Sequence, residues 1–208
     1  MPRQANTKEK ILDEALVLFA HRGYDRVKMS DIASAVGCAP GALYKHYESK
    51  EQVYRAMLER SLVGFKESMK ATSQRFIEHQ KLQEDLSNMS EDAMVTHALE
   101  FFDVAVEFEK AKLFRMLLTV EQFQRPELAQ MYDERYVETQ YEQSQYMLKR
   151  LIAAGIFKDG DTYSMSVSYM APITVMISVC DRSPQKVEWA RSVIENHVRQ
   201  FYRAYKNN

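Results

Sequence analysis

Only three residues, Gly37-Cys38-Ala39, separate two short segments of helical pattern, Met29–Val36 and Pro40–Tyr47. A connection that short forces two helices to cross closely, and a close crossing makes specific demands on side chains. It needs a small residue where the helices touch, a residue that accepts positive φ at the turn, and apolar residues that clamp both helices to a third. Ala33 is the small contact, Gly37 the turn, and Ile32, Val36 and Leu43 the clamp. Pro40 suits a first helical turn, where a missing N–H costs nothing. The third helix is expected just upstream. Thr7 can cap it, Ile11, Ala15, Leu18 and Leu12, Leu16, Phe19 recur at helical spacing, and Gly23 ends it. A motif of this kind lays its second helix in the major groove of DNA, N-terminal residues towards the base edges, while the first crosses the backbone. The segment 28–47 is therefore a candidate helix-turn-helix, with Pro40–Tyr47 as its recognition helix.

The same stretch resembles a named family. Gly23-Tyr24, Asp31-Ile32-Ala33, Val36-Gly37, Gly41-Ala42-Leu43-Tyr44 and Tyr47-x-Ser49-Lys50-Glu51 stand in the order and spacing of the TetR family of transcriptional regulators, over residues 7 to 60. The resemblance implies a dimeric, usually repressing regulator that is released from double-stranded operator DNA when a small-molecule effector binds its C-terminal domain. Position by position, it implies backbone contacts from Tyr44 and His46, a base or phosphate contact from Lys45, and a phosphate clamp at Lys50. Tyr47 is better read as core. With Lys28, Pro40, Gly41 and Ala42, these residues make the expected DNA surface. Two positions depart from the family. Lys28 stands where a capping Thr or Ser is usual, so the next helix is expected to fray or to be capped from Ser30. Ala39 replaces a frequent Ser cap, a change worth about 1 kcal/mol of helix stability. The recognition surface is thus poor in polar side chains, and its selectivity is expected to rest on Lys45, on Ala42 against thymine methyls, and on DNA shape.

Charge permits this reading without demanding it. The net charge is −1, yet residues 1 to 70 hold 12 Lys and Arg against 9 Asp and Glu, while the rest hold 16 against 20. With 6 Gly, 5 Pro and no alternating apolar runs, the whole chain reads as all-α. About nine helices are expected: the three above, a connecting helix 49–70 opened by a Ser49/Gln52 capping box with an apolar face Tyr54, Leu58, Leu62, Phe65, Met69, and further helices near 91–109, 111–123, 126–154, 162–180 and 184–205. A loop is placed near Leu86 to Ser90. The domain boundary falls after residue 50, giving a DNA-binding domain 1–50 and an effector-binding and dimerisation domain 51–208.

That second domain is rich in Met and aromatic residues, which line ligand cavities in helical bundles as readily as they fill cores. Phe102, Met116, Phe123, Tyr136, Tyr141, Tyr169 and Met170 are the candidate effector contacts. Pro172 should bend helix 162–180 by freeing the carbonyl of Ser168. That helix is apolar all round, and together with the stripe Val187, Ala190, Ile194, Val198, Phe201 it is the candidate homodimer surface. Cys38 and Cys180 offer neither a disulfide framework nor a metal spacing. The N-terminus lacks a signal-peptide pattern, and charges are expected to interrupt every apolar run before it could span a membrane, so a cytoplasmic protein is expected. No catalytic residue, metal or cofactor is expected, because no phosphate-cradling loop, nucleophile elbow or paired Glu-x-x-His is present. The competing reading is a helical adaptor that binds protein and not DNA.

Overall fold

The computed structural model describes residues 2–63 and 89–207, with side chains from residue 7 onward. The described residues form helices α1 (Pro2–Arg22), α2 (Met29–Val36), α3 (Pro40–Tyr44), α4 (50–63), α5 (Glu91–Glu107), α6 (Glu109–Glu121), α7 (Pro126–Tyr132), α8 (Thr139–Ala153), α9 (Thr162–Arg182) and α10 (Val187–Tyr205). A π-helical turn, Asp133–Glu138, joins α7 to α8, and a 3-10 turn, Pro184–Lys186, precedes α10. Among the described residues there is no strand beyond one isolated bridge, Phe157 to Lys206. The all-α class is as expected, and each of the nine expected helices has a counterpart. Three bounds differ. α1 starts at Pro2 and not at Thr7, since a proline suits a first turn as well as a capping hydroxyl does. The expected helix 126–154 is divided by the π turn, and α3 stops at Tyr44. The end of the connecting helix at 70, its face residues Phe65 and Met69, and the loop from Leu86 lie largely outside the described residues. Met89 and Ser90 are coil, and the Ser90 hydroxyl accepts from Ala93 N–H at 3.1 Å to cap α5.

The chain divides into two compact units, and they do not part at residue 50. The first joins α1–α4 to α6 and α7; the second joins α5 to α8, α9 and α10. In the first unit Ile11, Ala15, Phe19, Ile32, Ala33, Leu43, Val53, Tyr54 and Met57 are buried, with Leu113, Leu117 and Leu118 of α6 also buried. Asp13 of α1 binds Arg60 of α4 at 2.8 Å and Lys110 of α6 at 2.9 Å, and Lys10 donates to the Val36 carbonyl at the end of α2. Gly37 takes φ 78°, ψ 35°; its N–H bonds to Ser34 and that of Cys38 to Ala33, closing α2 as the turn requires. α2 is not capped from Ser30. Asp31 Oδ2 instead reaches back to the Lys28 N–H at 2.8 Å, the return half of a capping box, while Lys28 has no side-chain oxygen to serve the helix's own free N–H groups. At α4 the Ser49 hydroxyl accepts from Gln52 N–H, and the Gln52 side chain returns to the N–H of Glu48, one residue earlier than expected.

The second unit closes around Met94, Ala98, Phe102, Leu148, Leu151, Phe157, Tyr169, Ile173 and Ile177. Ala190, Ile194, Val198 and Phe201 join that same core, with Ile194 and Val198 wholly buried. This corrects the assignment of the α10 stripe to a dimer surface: the stripe is spent inside its own chain, because α10 packs on α5 and α9. Glu91 and Asp92 at the start of α5 bind Arg199 and Arg203 near the end of α10, and the Tyr202 hydroxyl donates to the Met89 carbonyl at 2.9 Å. α9 runs unbroken through Pro172. By length and composition it could cross a membrane, which the expectation of interrupting charges missed, since no charge falls between Asp161, just before it, and Asp181 in its last turn. Its residues Met165, Tyr169, Ile173 and Ile177 are buried in the core of this unit.

Candidate nucleic-acid interface

α3 is a short helix held by a single buried anchor. Leu43 is wholly buried, while Pro40, Gly41, Ala42, Tyr44 and Lys45 are exposed and His46 is half-buried. Tyr44 keeps 51% of its surface in solvent, unusual for an aromatic beside a core anchor, and therefore available to a partner. The backbone beyond Tyr44 tightens, with His46 and Tyr47 N–H both bonding to the Leu43 carbonyl. Ala39 is extended and offers no side-chain cap, as its methyl dictates.

Beside α3 lies an open groove of ≈ 390 Å³ lined by Asp25, Val27, Lys28, Met29, Ser30, Pro40, Tyr44 and Lys50. It brings together four of the expected DNA contacts, Lys28, Pro40, Tyr44 and Lys50, from three separate segments. Gly41, Ala42 and Lys45 lie on the exposed face of the motif outside this groove. Ser30 and Asp25 were not anticipated there. Ser30 sits in the first turn of α2, where backbone N–H groups lack helical partners and an anion is favoured, a signal that a cap at Lys28 alone obscured. Two ammonium groups at the groove outweigh the one Asp25 carboxylate, so its field suits a phosphate.

Lys50 is held rather than free. Its Nζ donates to the Tyr24 carbonyl at 2.8 Å and lies 4.0 Å from the Tyr24 ring centre. An ammonium has three donors, so this still leaves N–H groups for a phosphate oxygen. Tyr24 in turn donates its hydroxyl to Glu51 at 2.8 Å. Hydrogen bonds from Arg55 and then Tyr24 hold the Glu51 carboxyl below its ordinary pKa. Burial pushes the Tyr24 hydroxyl up, reinforced by Glu51.

These placements separate the two lysines. Lys50→Ala is expected to weaken binding about equally on every DNA sequence and to lower the slope of log K against log salt by roughly 0.9 for each phosphate left without its ammonium. Lys45→Ala is expected to change sequence preference instead. Selection profiles and salt titrations of both variants check the division; identical profiles would show it to be wrong.

The seven candidate effector contacts do not share one unit. Phe102, Tyr169 and Met170 are buried in the second unit, Tyr141 packs against that core and Tyr136 is half-buried. Met116 and Phe123 belong to the first unit, and Phe123 is 87% exposed in the turn between α6 and α7. Periodicity shows that α6 has an apolar face, but not which core that face joins.

Comparison with known proteins agrees with this geometry. Residues 11–57 match the family described as bacterial regulatory proteins, tetR family. The biofilm operon icaADBC negative transcriptional regulator IcaR of Staphylococcus epidermidis is 42% identical over 52 residues, 25% of this chain and 28% of that protein. IcaR of Staphylococcus aureus strain Newman is 32% identical over 98 residues, so the match spans about half of each chain, 47% of both. Among solved structures, a TetR transcriptional regulator from Chloroflexus aurantiacus superposes with a TM-score of 0.66 at 19% identity, covering 99% of this chain and 98% of the other. A transcriptional regulator from Saccharomonospora viridis in complex with choline gives 0.58 at 18%, over 96% and 95%. Over residues 11–57 the sequence thus matches the DNA-binding region of bacterial tetR-family regulators, and from end to end the chain shares the fold of solved regulators of that kind.

Proposed function

We propose that this chain is a homodimeric, cytoplasmic DNA-binding repressor, released from its operator by a small molecule held in the second unit. The carrying observation is the motif itself: a buried Leu43 anchor turns the exposed face of α3 outward beside a groove with Lys28 and Lys50 at its edge. The IcaR match supports the repressing sense. The adaptor reading explains neither the paired ammonium groups nor the exposed Gly41-Ala42 surface, which is smooth enough to approach a base edge. Selecting duplex DNA with the purified protein and titrating the enriched site against salt tests the proposal. A two-fold symmetric site and a steep fall of affinity with salt are expected, and salt-independent binding would refute it.

Effector binding in the second unit is supported by Tyr169. Its side chain is buried, its hydroxyl has no hydrogen-bond partner among the described residues, and burial pushes its pKa up, so it stays a neutral donor. The Gln140 side-chain oxygen is likewise buried without a partner among the described residues. A buried polar group left unpaired is costly, and a ligand's polar atoms would relieve that cost. The choline complex of the Saccharomonospora viridis regulator shows that a chain of this fold can hold a small polar molecule.

A lone helix-turn-helix reads too few base pairs to select an operator, so pairing is part of the proposal. With the inner stripe of α10 buried, the outward faces of α9 and α10 remain: Ser168, Val175 and Arg182 on one, Trp189, Ser192 and Asn196 on the other, with Val175 and Trp189 each about half exposed. Val175→Arg is expected to give a folded monomer. Like charges would meet across an isologous interface. Sedimentation of both forms at micromolar concentration checks this, and a Val175→Arg dimer as tight as the parent would move the interface elsewhere.

A further inference from the structure

Tyr24, two residues beyond α1, has each of its polar groups held by a different side chain. Its N–H donates to Glu121 Oε1 at 2.7 Å, its carbonyl accepts from Lys50 Nζ at 2.8 Å, and its hydroxyl donates to Glu51 Oε2 at 2.8 Å. Two cations lie against its ring, Lys50 Nζ at 4.0 Å and the Arg125 guanidinium carbon at 4.3 Å. Arg125 is also 4.8 Å from the Tyr54 ring, 3.6 Å from Glu121 Oε2 and 3.9 Å from Glu51 Oε2. The Glu121 residue keeps only 6% of its surface exposed. Gly23 leaves room for that carboxylate: a Cβ there would stand 3.2 Å from Glu121 Oε1, on a backbone already at φ 75°.

We propose that Glu121 and Arg125 are positioning residues for DNA binding, which hold Tyr24 and keep the Lys50 ammonium at the groove beside α3. The proposal rests on the reading of the first unit as the DNA-binding body. Its physical content is a competition among charges. Glu51 and Glu121 bind opposite ends of one tyrosine, and Lys50 lies against the same ring. Arg125 is within 4 Å of both carboxylates, but Glu51 also holds Arg55 at 2.9 Å, so it is Glu121 whose counter-charge Arg125 supplies. With Arg125 in place, the Lys50 ammonium needs only the neutral Tyr24 carbonyl and the ring, and its remaining donors face a phosphate. Without Arg125, Glu51 keeps Arg55 but the Glu121 carboxylate is left to draw Lys50 away from the groove, since an opposite charge in a partly buried site outweighs a carbonyl dipole. Neither residue belongs to the stretch that resembles the family motif, and neither lines the groove, so both would act only through Tyr24 and Lys50.

The experiment is a mutant cycle on the full-length protein, using a fluorescent 30-base-pair duplex of random sequence at low salt, because phosphate contacts need no particular operator. Arg125→Met keeps a long apolar stem over the two tyrosine rings while removing the charge. It is expected to weaken binding about tenfold, a loss of the size that coupled charged neighbours produce. Added to Lys50→Ala it should weaken binding no further, because the two act through one ammonium. Adding Glu121→Gln to Arg125→Met should restore binding to within about threefold of wild type, because the amide still accepts the Tyr24 N–H but no longer competes for Lys50. A purely structural role for Arg125 would give no such rescue, and thermal melts of each variant show whether a loss follows from unfolding. Losses that multiply in the Lys50→Ala background, or no rescue by Glu121→Gln, would overturn the proposal. Wild-type protein that does not bind the duplex would instead overturn the DNA-binding reading on which it rests.

Discussion

Ile194→Glu is expected to unfold the second unit, and not to release a folded monomer. Ile194 is wholly buried within its own chain, among Ala98, Phe102, Tyr169, Ile173 and Val198 of one core. The substitution removes a packed aliphatic side chain, at about 2 to 5 kcal/mol if merely truncated, and adds a carboxylate with no cation designed to meet it. Against a total stability of about 5 to 15 kcal/mol, that combination exhausts most of the margin. Far-ultraviolet circular dichroism and a thermal melt of the full chain should show loss of helix or a much lower transition, with the aggregation that follows an opened core. Val175→Arg on the outward side of α9 should melt close to wild type. An Ile194→Glu protein with an unchanged melt that sediments as a monomer would place the stripe at an interface after all.

The contrast shows what a linear pattern carries. The period of Ala190, Ile194, Val198 and Phe201 states that one face of α10 leaves water, but nothing in the stripe names the partners it meets, α5 far back along the chain and α9 just before it. The same gap explains Phe123 and Met116: α6 was legible as a helix, yet its membership of the first unit depends on long-range contacts such as Asp13 with Lys110. The helix-turn-helix was legible because its determinants are local. Ala33, Gly37 and Leu43 lie close together in the sequence, and each does one thing that few other residues can do there. The groove was half legible. Lys28, Pro40, Tyr44 and Lys50 follow from motif position, whereas Lys50 is fixed by Tyr24, whose surroundings only the folded chain assembles.

Gly37→Val is expected to remove most DNA binding while the second unit stays folded. Gly37 sits at φ 78°, ψ 35°, and a Cβ added there would meet nothing within 4 Å. The penalty is therefore in the backbone and not in packing. A β-branched residue in the left-handed region costs about 1 to 3 kcal/mol, and the turn relieves that strain by rotating. The rotation breaks the Gly37 and Cys38 N–H bonds that close α2 and re-aims α3, whose five residues have only Leu43 to hold them. In the proposed homodimer two strained copies would act on one operator, so a loss of about 100-fold or more in affinity is expected, each 1.4 kcal/mol being about tenfold. Gly37→Asn is the control, because asparagine tolerates the left-handed region and should keep binding within a few-fold. Anisotropy titrations of both variants on a selected site, with melts alongside, distinguish the two. Equal losses would mean that the side chain, and not the backbone angle, is what the turn rejects.

The interleaving of the two units has a consequence for how the chain is made. Tyr24 waits for Glu121, its hydrogen-bond acceptor 97 residues later, and α5 waits for α10, whose Arg199 reaches Asp92 across 107 residues. During synthesis the amino-terminal helices emerge first and can form their local turn, yet α1 must keep part of its apolar surface uncovered until α6 and α7 leave the ribosome. By then α5 has already passed, still without its own partners. The nascent chain thus carries two incomplete cores at once, and neither can be finished before the other has begun. Closure over such distances slows folding relative to a chain of the same helices joined in series, and the exposed faces of α1 and α5 are where a chaperone would find its grip.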